Sequence, residues 1–189
     1  ALHGRYPQPE FRKIRQRLSE EVLRKSVFHA DEEPIISAIL GLAAPVLSAW
    51  RVKQLPYPLR PGDRVDLDET PSPVGQMLVY VAGVLGLGQP DLYFRPDEPG
   101  DLNVLNVQRE GRVRPTVIAL ANALREKNEN NLVFAVGRHA LDLYPPHYGF
   151  MVIDRSPENL KDVIYACMQV SGSQPHESSP GVAACAREL

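Results

Sequence analysis

The densest group of chemically capable side chains is Arg138, His139, Asp142 and His147. His139 and Asp142 fall three positions apart and would share one face of a helix. His147 follows directly after the double proline Pro145-Pro146. Two imidazoles and a carboxylate are donors that zinc accepts. A zinc peptidase helix, however, reads His-Glu-x-x-His, with the Glu as general base. The stretch here is His139-Ala140-Leu141-Asp142-Leu143, with no Glu after the first His and no His four positions on. A divergent zinc-dependent hydrolase using His139, Asp142 and His147 is therefore the alternative expectation. The leading expectation gives Arg138, His139 and Tyr148 structural roles, with Arg138 and His139 orienting a long helix against a Tyr144 to Tyr148 turn.

Other chemistries find less. No Gly-x-Ser-x-Gly nucleophile elbow is present. Ser171-Gly172-Ser173 lies in a loop with no histidine on a fixed element nearby. Cys167 could face His176, but a cysteine inside a helix among apolar neighbours has no means of becoming a thiolate. The two cysteines, Cys167 and Cys185, are too few for a disulfide scaffold and fit no zinc spacing. They read as reduced, buried small hydrophobes, which points to a reducing, cytoplasmic setting. Gly83-Val84-Leu85-Gly86-Leu87-Gly88 has its glycines in the wrong order for a dinucleotide fingerprint and closes a helix instead of opening one. No catalytic residue and no cofactor is expected.

One surface stands out by charge. Arg12, Lys13, Arg15 and Arg17 form a basic run, a candidate partner surface. The run lacks interleaved aromatics. The chain carries 21 Lys+Arg against 23 Asp+Glu, a formal charge of −2, which argues against a nucleic-acid partner.

These residues must be held by elements that the periodicity predicts. The 189 residues, 43% apolar and 23% charged, suffice for one domain with a real core. Phe11, Ile14, Leu18 and Val22 predict a helix over Glu10 to Phe28. Asp31 reads as the cap of a second, broadly apolar helix that Pro45 should kink or divide. Residues 54–73 read as a connector whose prolines forbid regular pairing. Pro71 to Pro90 is uncharged, but its apolar part is too short to span a bilayer, so Val74 to Leu87 reads as a buried helix ended by Gly86 and Gly88. Three short strands follow, at Asp91–Arg95, Leu102–Gln108 and Pro115–Ala119. Helices then return at Leu120–Lys127 and at Asn130–Leu143, the latter stopped by Pro145-Pro146. Another opens at Ser156-Pro157 and a last one at Ser179-Pro180.

The expected architecture is α+β and helix-dominated, about six helices around a small two- or three-stranded sheet. Its parts are an N-terminal helical segment (1–53), a proline-rich connector (54–73) and a mixed core (74–189), with the first and last forming one folded unit. The missing initiating Met and the abrupt last helix read as a piece of a longer protein.

The block from Asp91-Leu92-Tyr93 through Arg114-Pro115-Thr116-Val117-Ile118-Ala119 and Asn131-Leu132-Val133-Phe134-Ala135-Val136-Gly137-Arg138-His139 to Tyr144-Pro145-Pro146-His147-Tyr148 carries a resemblance. Over roughly residues 70 to 170 the chain resembles the C-terminal domain of large bacterial tetratricopeptide-repeat proteins. That family has a Phe-x-x-Gly-Arg helix ahead of an Arg-Pro-x-His-Tyr-like stretch. Tyr144-Pro145 stands here where Arg-Pro would be, and Pro146 is a further departure. The order of elements is also similar to the core of His-Glu-x-x-His metallopeptidases, with the ligand set degenerate. The resemblance implies a non-enzymatic protein-interaction or scaffolding domain, whose partners are helical repeats of the same or another chain and which does not enter a membrane.

Overall fold

The computed structural model describes residues 14–54, 59–67, 69, 72–153, 156–174 and 179–189. Arg12 and Lys13 of the basic run, and His176, lie outside the described residues.

Among the described residues, eight α-helices surround one four-stranded mixed sheet, a helix-dominated α+β fold. The first helix is shorter than its apolar stripe predicts. Helix α1 spans Glu20–Ser26. Ser19 fixes the start, its Oγ accepting from the Val22 N–H at 3.3 Å. Glu20 and Glu21 then occupy the positive end of the helix, and Arg24 and Lys25 the negative end. Arg15 and Arg17, which would have opposed the dipole of a longer helix, fall upstream of the cap. Ile14 to Leu18 instead lies along the third helix, α3 (Pro73–Leu85). The Ile14 N–H donates to Tyr80 Oη at 2.8 Å, and the Leu18 N–H to the Val84 carbonyl at 2.8 Å.

Helix α2 runs Pro34–Gln54. Its cap is Glu33, not Asp31. The Glu33 carbonyl accepts from the Ser37 N–H at 3.0 Å, and its carboxylate from the Ile35 N–H at 3.4 Å. Pro34 makes this the natural start, because a proline at the first helical position gives up a donor that has no partner there. Pro45 does not divide the helix. Leu40, Ala43, Ala44 and Leu47 on either side of it are all buried against other helices, and that packing outweighs the lost hydrogen bond.

The connector contains paired backbone after all. A 3-10 turn at Pro61–Asp63 feeds strand β1 (Arg64–Val65), a proline-free gap that pairs antiparallel with strand β2 (Asp91–Arg95). Strand β4 (Arg112–Leu120) lies parallel to β2 on one side and antiparallel to β3 (Leu102–Arg109) on the other, giving the order β1-β2-β4-β3. β4 begins three residues earlier than its apolar run indicates, because Arg112 to Arg114 pair with Val107 to Arg109. Pro115 precedes the first β2 pair, Asp91 with Thr116, where one side of β4 is still unpaired and proline is tolerated.

Short helix α4 (Ala121–Arg125) leads to α5 (Glu129–Leu141), whose cap Asn128 accepts from the N–H groups of Asn130 and Asn131. Pro145 and Pro146 stop α5 as expected, but they also open a further helix, α6 (Pro145–Val152). Proline blocks a helix only from its own position upstream; at the first turn its fixed φ favours one. Helices α7 (Pro157–Val170) and α8 (Pro180–Glu188) start at Ser156 and Ser179, whose hydroxyls accept from Asn159 and Val182 N–H groups at 3.1 Å each.

Two cores result. Leu78, Leu92, Val117 and Val136 are buried where α3 and α5 cover one sheet face. Leu40, Leu47, Tyr148, Ala166 and Val182 are buried between α2, α6, α7 and α8. Helix α2 packs on α6, α7 and α8 and also contacts β3 and β4, so it joins the two. Among the described residues no helix is long and apolar enough to cross a membrane.

Candidate functional site

An open groove of about 860 Å3 lies where α2, the end of α3, the start of α6 and one end of the sheet meet. Gly86 makes this junction. It closes α3 in the left-handed conformation (φ 70°), which releases the chain sharply towards β2. The Arg17 side chain occupies the place where a Cβ on Gly86 would sit. The apolar wall comes from Ala38, Leu42, Leu87, Leu143, Tyr144 and Pro146. Leu42, 84% exposed, belongs to this wall, while Ala43 and Ala44 beside it are buried.

Three charged residues line the groove: Arg17, Asp91 and Arg114. Asp91 is already engaged. Its carboxylate, only 11% exposed, accepts from Arg64 at 3.2 Å and from Arg109 at 3.3 Å. Arg17 and Arg114 are exposed, and their side chains have no hydrogen-bond or ion-pair partner among the described residues. Arg112, one residue beyond the neighbour of Arg114, stands directly opposite Arg109 across the hairpin, and the Arg109 guanidinium is held by Asp91 and Glu110 at 3.3 and 3.4 Å.

Next to the groove, His147 holds the two helix starts together. Its Nε2 lies 3.1 Å from Glu32 Oε2 and its Nδ1 lies 3.2 Å from the Leu141 carbonyl. Both neighbours are acceptors, so a ring carrying both protons satisfies both. Phe28 and Tyr144 flank it, with ring centroids at 4.9 and 5.8 Å from the imidazole. Ser37 donates to the other oxygen of Glu32 at 2.8 Å. The carboxylate therefore sits between hydroxyl and imidazole. A serine hydrolase needs the imidazole in the middle, touching the hydroxyl it deprotonates, so this trio is an anchor and not a nucleophile. Partial burial alone would raise the Glu32 carboxyl. The hydrogen bonds from His147 and Ser37, with the His147 charge, outweigh that and hold it below the ordinary range.

A pH dependence follows. A carboxyl depressed in the folded state contributes stability above its unfolded value, roughly pH 4, and loses it as the pH falls through the lower folded value. Glu32→Gln is expected to cost about 1 kcal/mol near neutrality, since both partners are mostly buried. The difference from the parent protein should begin to shrink below about pH 4 and go on falling as the pH drops through the lower folded value. Urea unfolding of both proteins from pH 3 to 7 checks this; parallel curves with a constant gap would refute it.

The structure does not bring His139, Asp142 and His147 together. Among the described residues no three His, Cys, Asp or Glu side chains are grouped as a metal ion requires. The His139 Nδ1 meets the Ala135 carbonyl of its own helix at 2.8 Å, and Asp142 is the C-cap of α5. Arg138 is exposed, and the expected turn from Tyr144 to Tyr148 is the start of α6. Tyr148 is buried between α6 and α2, its phenol pushed well upwards by burial, with Ser48 a smaller opposing influence. Its Oη and Asn106 Oδ1 are buried without a hydrogen-bond partner among the described residues.

Both cysteines are free. Burial raises the Cys167 thiol, and burial with neighbouring acids and Cys167 pushes Cys185 up to about 11, so neither is primed as a thiolate. No serine, threonine or cysteine among the described residues hydrogen-bonds an imidazole. Of the basic run's two described residues, Arg15 and Arg17, both are exposed and Arg17 lines the groove. Sequence reasoning missed Glu32 and Arg114: the Glu32–His147 contact spans 115 positions, and nothing local marks either residue.

Fold and groove together define a helix-dominated α+β domain with an open, mainly apolar cleft edged by arginine. Comparison with protein-family models, with curated proteins and with solved structures found no match.

Proposed function

We propose that this chain is a non-enzymatic protein-interaction domain that docks a partner in the groove between α2 and α6, as part of a larger bacterial repeat protein or complex in the cytoplasm. The observation that carries the reading is Leu42. Leu42, 84% exposed on a helix that packs on three others, is continuous with the apolar wall of Ala38, Leu87, Leu143, Tyr144 and Pro146, and a contiguous exposed apolar surface of this kind marks an interaction site. The resemblance of residues 70 to 170 to the C-terminal domain of tetratricopeptide-repeat proteins supports helical repeats as the partner. Shape and surface perform this function, with no bond-making step.

A photo-crosslinking amino acid at position 42, in cells of the source organism, tests the proposal. A discrete protein adduct is expected at position 42 and none from a control at exposed Glu158 on α7. No adduct at position 42, or the same adducts at both positions, would overturn it.

A further inference from the structure

We propose that the groove takes a peptide segment bearing a carboxylate beside an apolar side chain, with Arg17 and Arg114 as the carboxylate receptors. This rests on the docking reading above and names the chemistry of its partner. The argument is one of charge. The acid in the groove wall, Asp91, is withdrawn from solvent and saturated by Arg64 and Arg109. The side chains of the two arginines there have no partner among the described residues. Among those residues their positive charge is uncompensated against an apolar wall, where an incoming carboxylate is bound in a partly desolvated setting and a guanidinium can grip it through two parallel N–H donors.

The two arginines come from different places. Arg17 precedes α1 and lies on Gly86; Arg114 stands on β4. Both line the one cleft, and Leu42, Leu87 and Pro146 line it with apolar surface. The apolar lining favours a peptide over a nucleic acid. Of the aromatic rings among the described residues only Tyr144 lines the groove, and it is already packed against Phe28 and His147, which leaves no stacking platform for successive bases there.

The test is selection of a displayed random 12-residue peptide library on the purified 189-residue chain. Selected peptides are then measured by fluorescence anisotropy against the parent protein, Leu42→Glu and the double variant Arg17→Gln/Arg114→Gln. Circular dichroism on each variant verifies folding, and all three positions are exposed. The expected result is enrichment of Asp or Glu next to Leu, Ile or Phe. Affinity should drop at least tenfold in both variants, and by a similar factor when the acid of the peptide becomes its amide. Apolar peptides that lose affinity on Leu42→Glu but not on the arginine double variant would overturn this inference and leave the docking reading standing. Peptides indifferent to Leu42→Glu, or none selected, would overturn this inference, and the crosslink at position 42 decides the docking reading separately. A labelled single-stranded oligonucleotide is the remaining probe: tight, salt-sensitive binding lost in the arginine double variant, with no peptide binding, would overturn the inference in favour of nucleic acid.

Discussion

Leu92→Ala should cost about 3 kcal/mol of stability, within the range for deleting a fully buried leucine side chain. Leu92 is 0% exposed on β2, one of the two inner strands. Its side chain points to the face that α3 covers, close to Gly75, where an added Cβ would lie 3.7 Å from Leu92 Cδ2. The space left behind cannot close easily. Gly75 is already tight against Ser72 and Leu67, and Ser72 Oγ accepts from the Gly75 N–H at 3.0 Å, which pins the start of α3. On the sheet side, Leu92 is in register with Val65 and Val117, so the backbone cannot move inward without breaking two ladders. A chain of this size should lose roughly 6–12 °C of melting temperature. Calorimetry on the variant decides it; a loss under about 1 kcal/mol would mean that α3 can settle onto the sheet.

Gly149→Ala should cost about 2 kcal/mol, for the opposite reason. Gly149 sits in α6 where the helix meets α2. A Cβ there would lie 2.5 Å from the Leu40 carbonyl oxygen and 3.1 Å from its carbon. The obstructing atoms are backbone, so no rotamer change relieves the contact. The two helices must separate, and with them Tyr148 and Val152 lift off Leu40 and Leu47. In the middle of a helix alanine is ordinarily better than glycine by about 1 kcal/mol, so a destabilising outcome isolates the steric effect. The groove shares both helices, and the variant should also weaken the peptides selected on the parent chain. Chemical denaturation supplies the stability. A variant equal to or more stable than the parent would show that α2 and α6 do not approach as closely as described.

The two substitutions mark how far the sequence reaches. Apolar periodicity, proline and capping residues are local signals. They placed α3, the start of α7 at Ser156-Pro157, the start of α8 at Ser179-Pro180 and three of the four strands, because a helix or strand must bury its stripe whatever it packs against. Local signals misled where two competed. The stripe through Ile14 and Leu18 reads as helical, yet Leu18 reaches the core from a segment that is not helical, its backbone N–H donating to the Val84 carbonyl. Pro145-Pro146 read as an end, and it is also a beginning.

The candidate site was legible only in fragments. In the sequence Arg17 is one charge in a basic run, and His147 is a candidate ligand beside His139 and Asp142. What made them a site was the tertiary structure. Glu32 meets His147, and Arg17 and Arg114 come to line one cleft, only after α6 folds back onto α2 and Gly86 turns the chain towards the sheet. Composition and periodicity alone determined the class of fold and most of its elements, because those follow from interactions within a few residues. Which side chains share a groove, and which charges there are left unneutralised, was decided by packing between segments far apart in the chain, a distance over which spacing in the sequence carries no information.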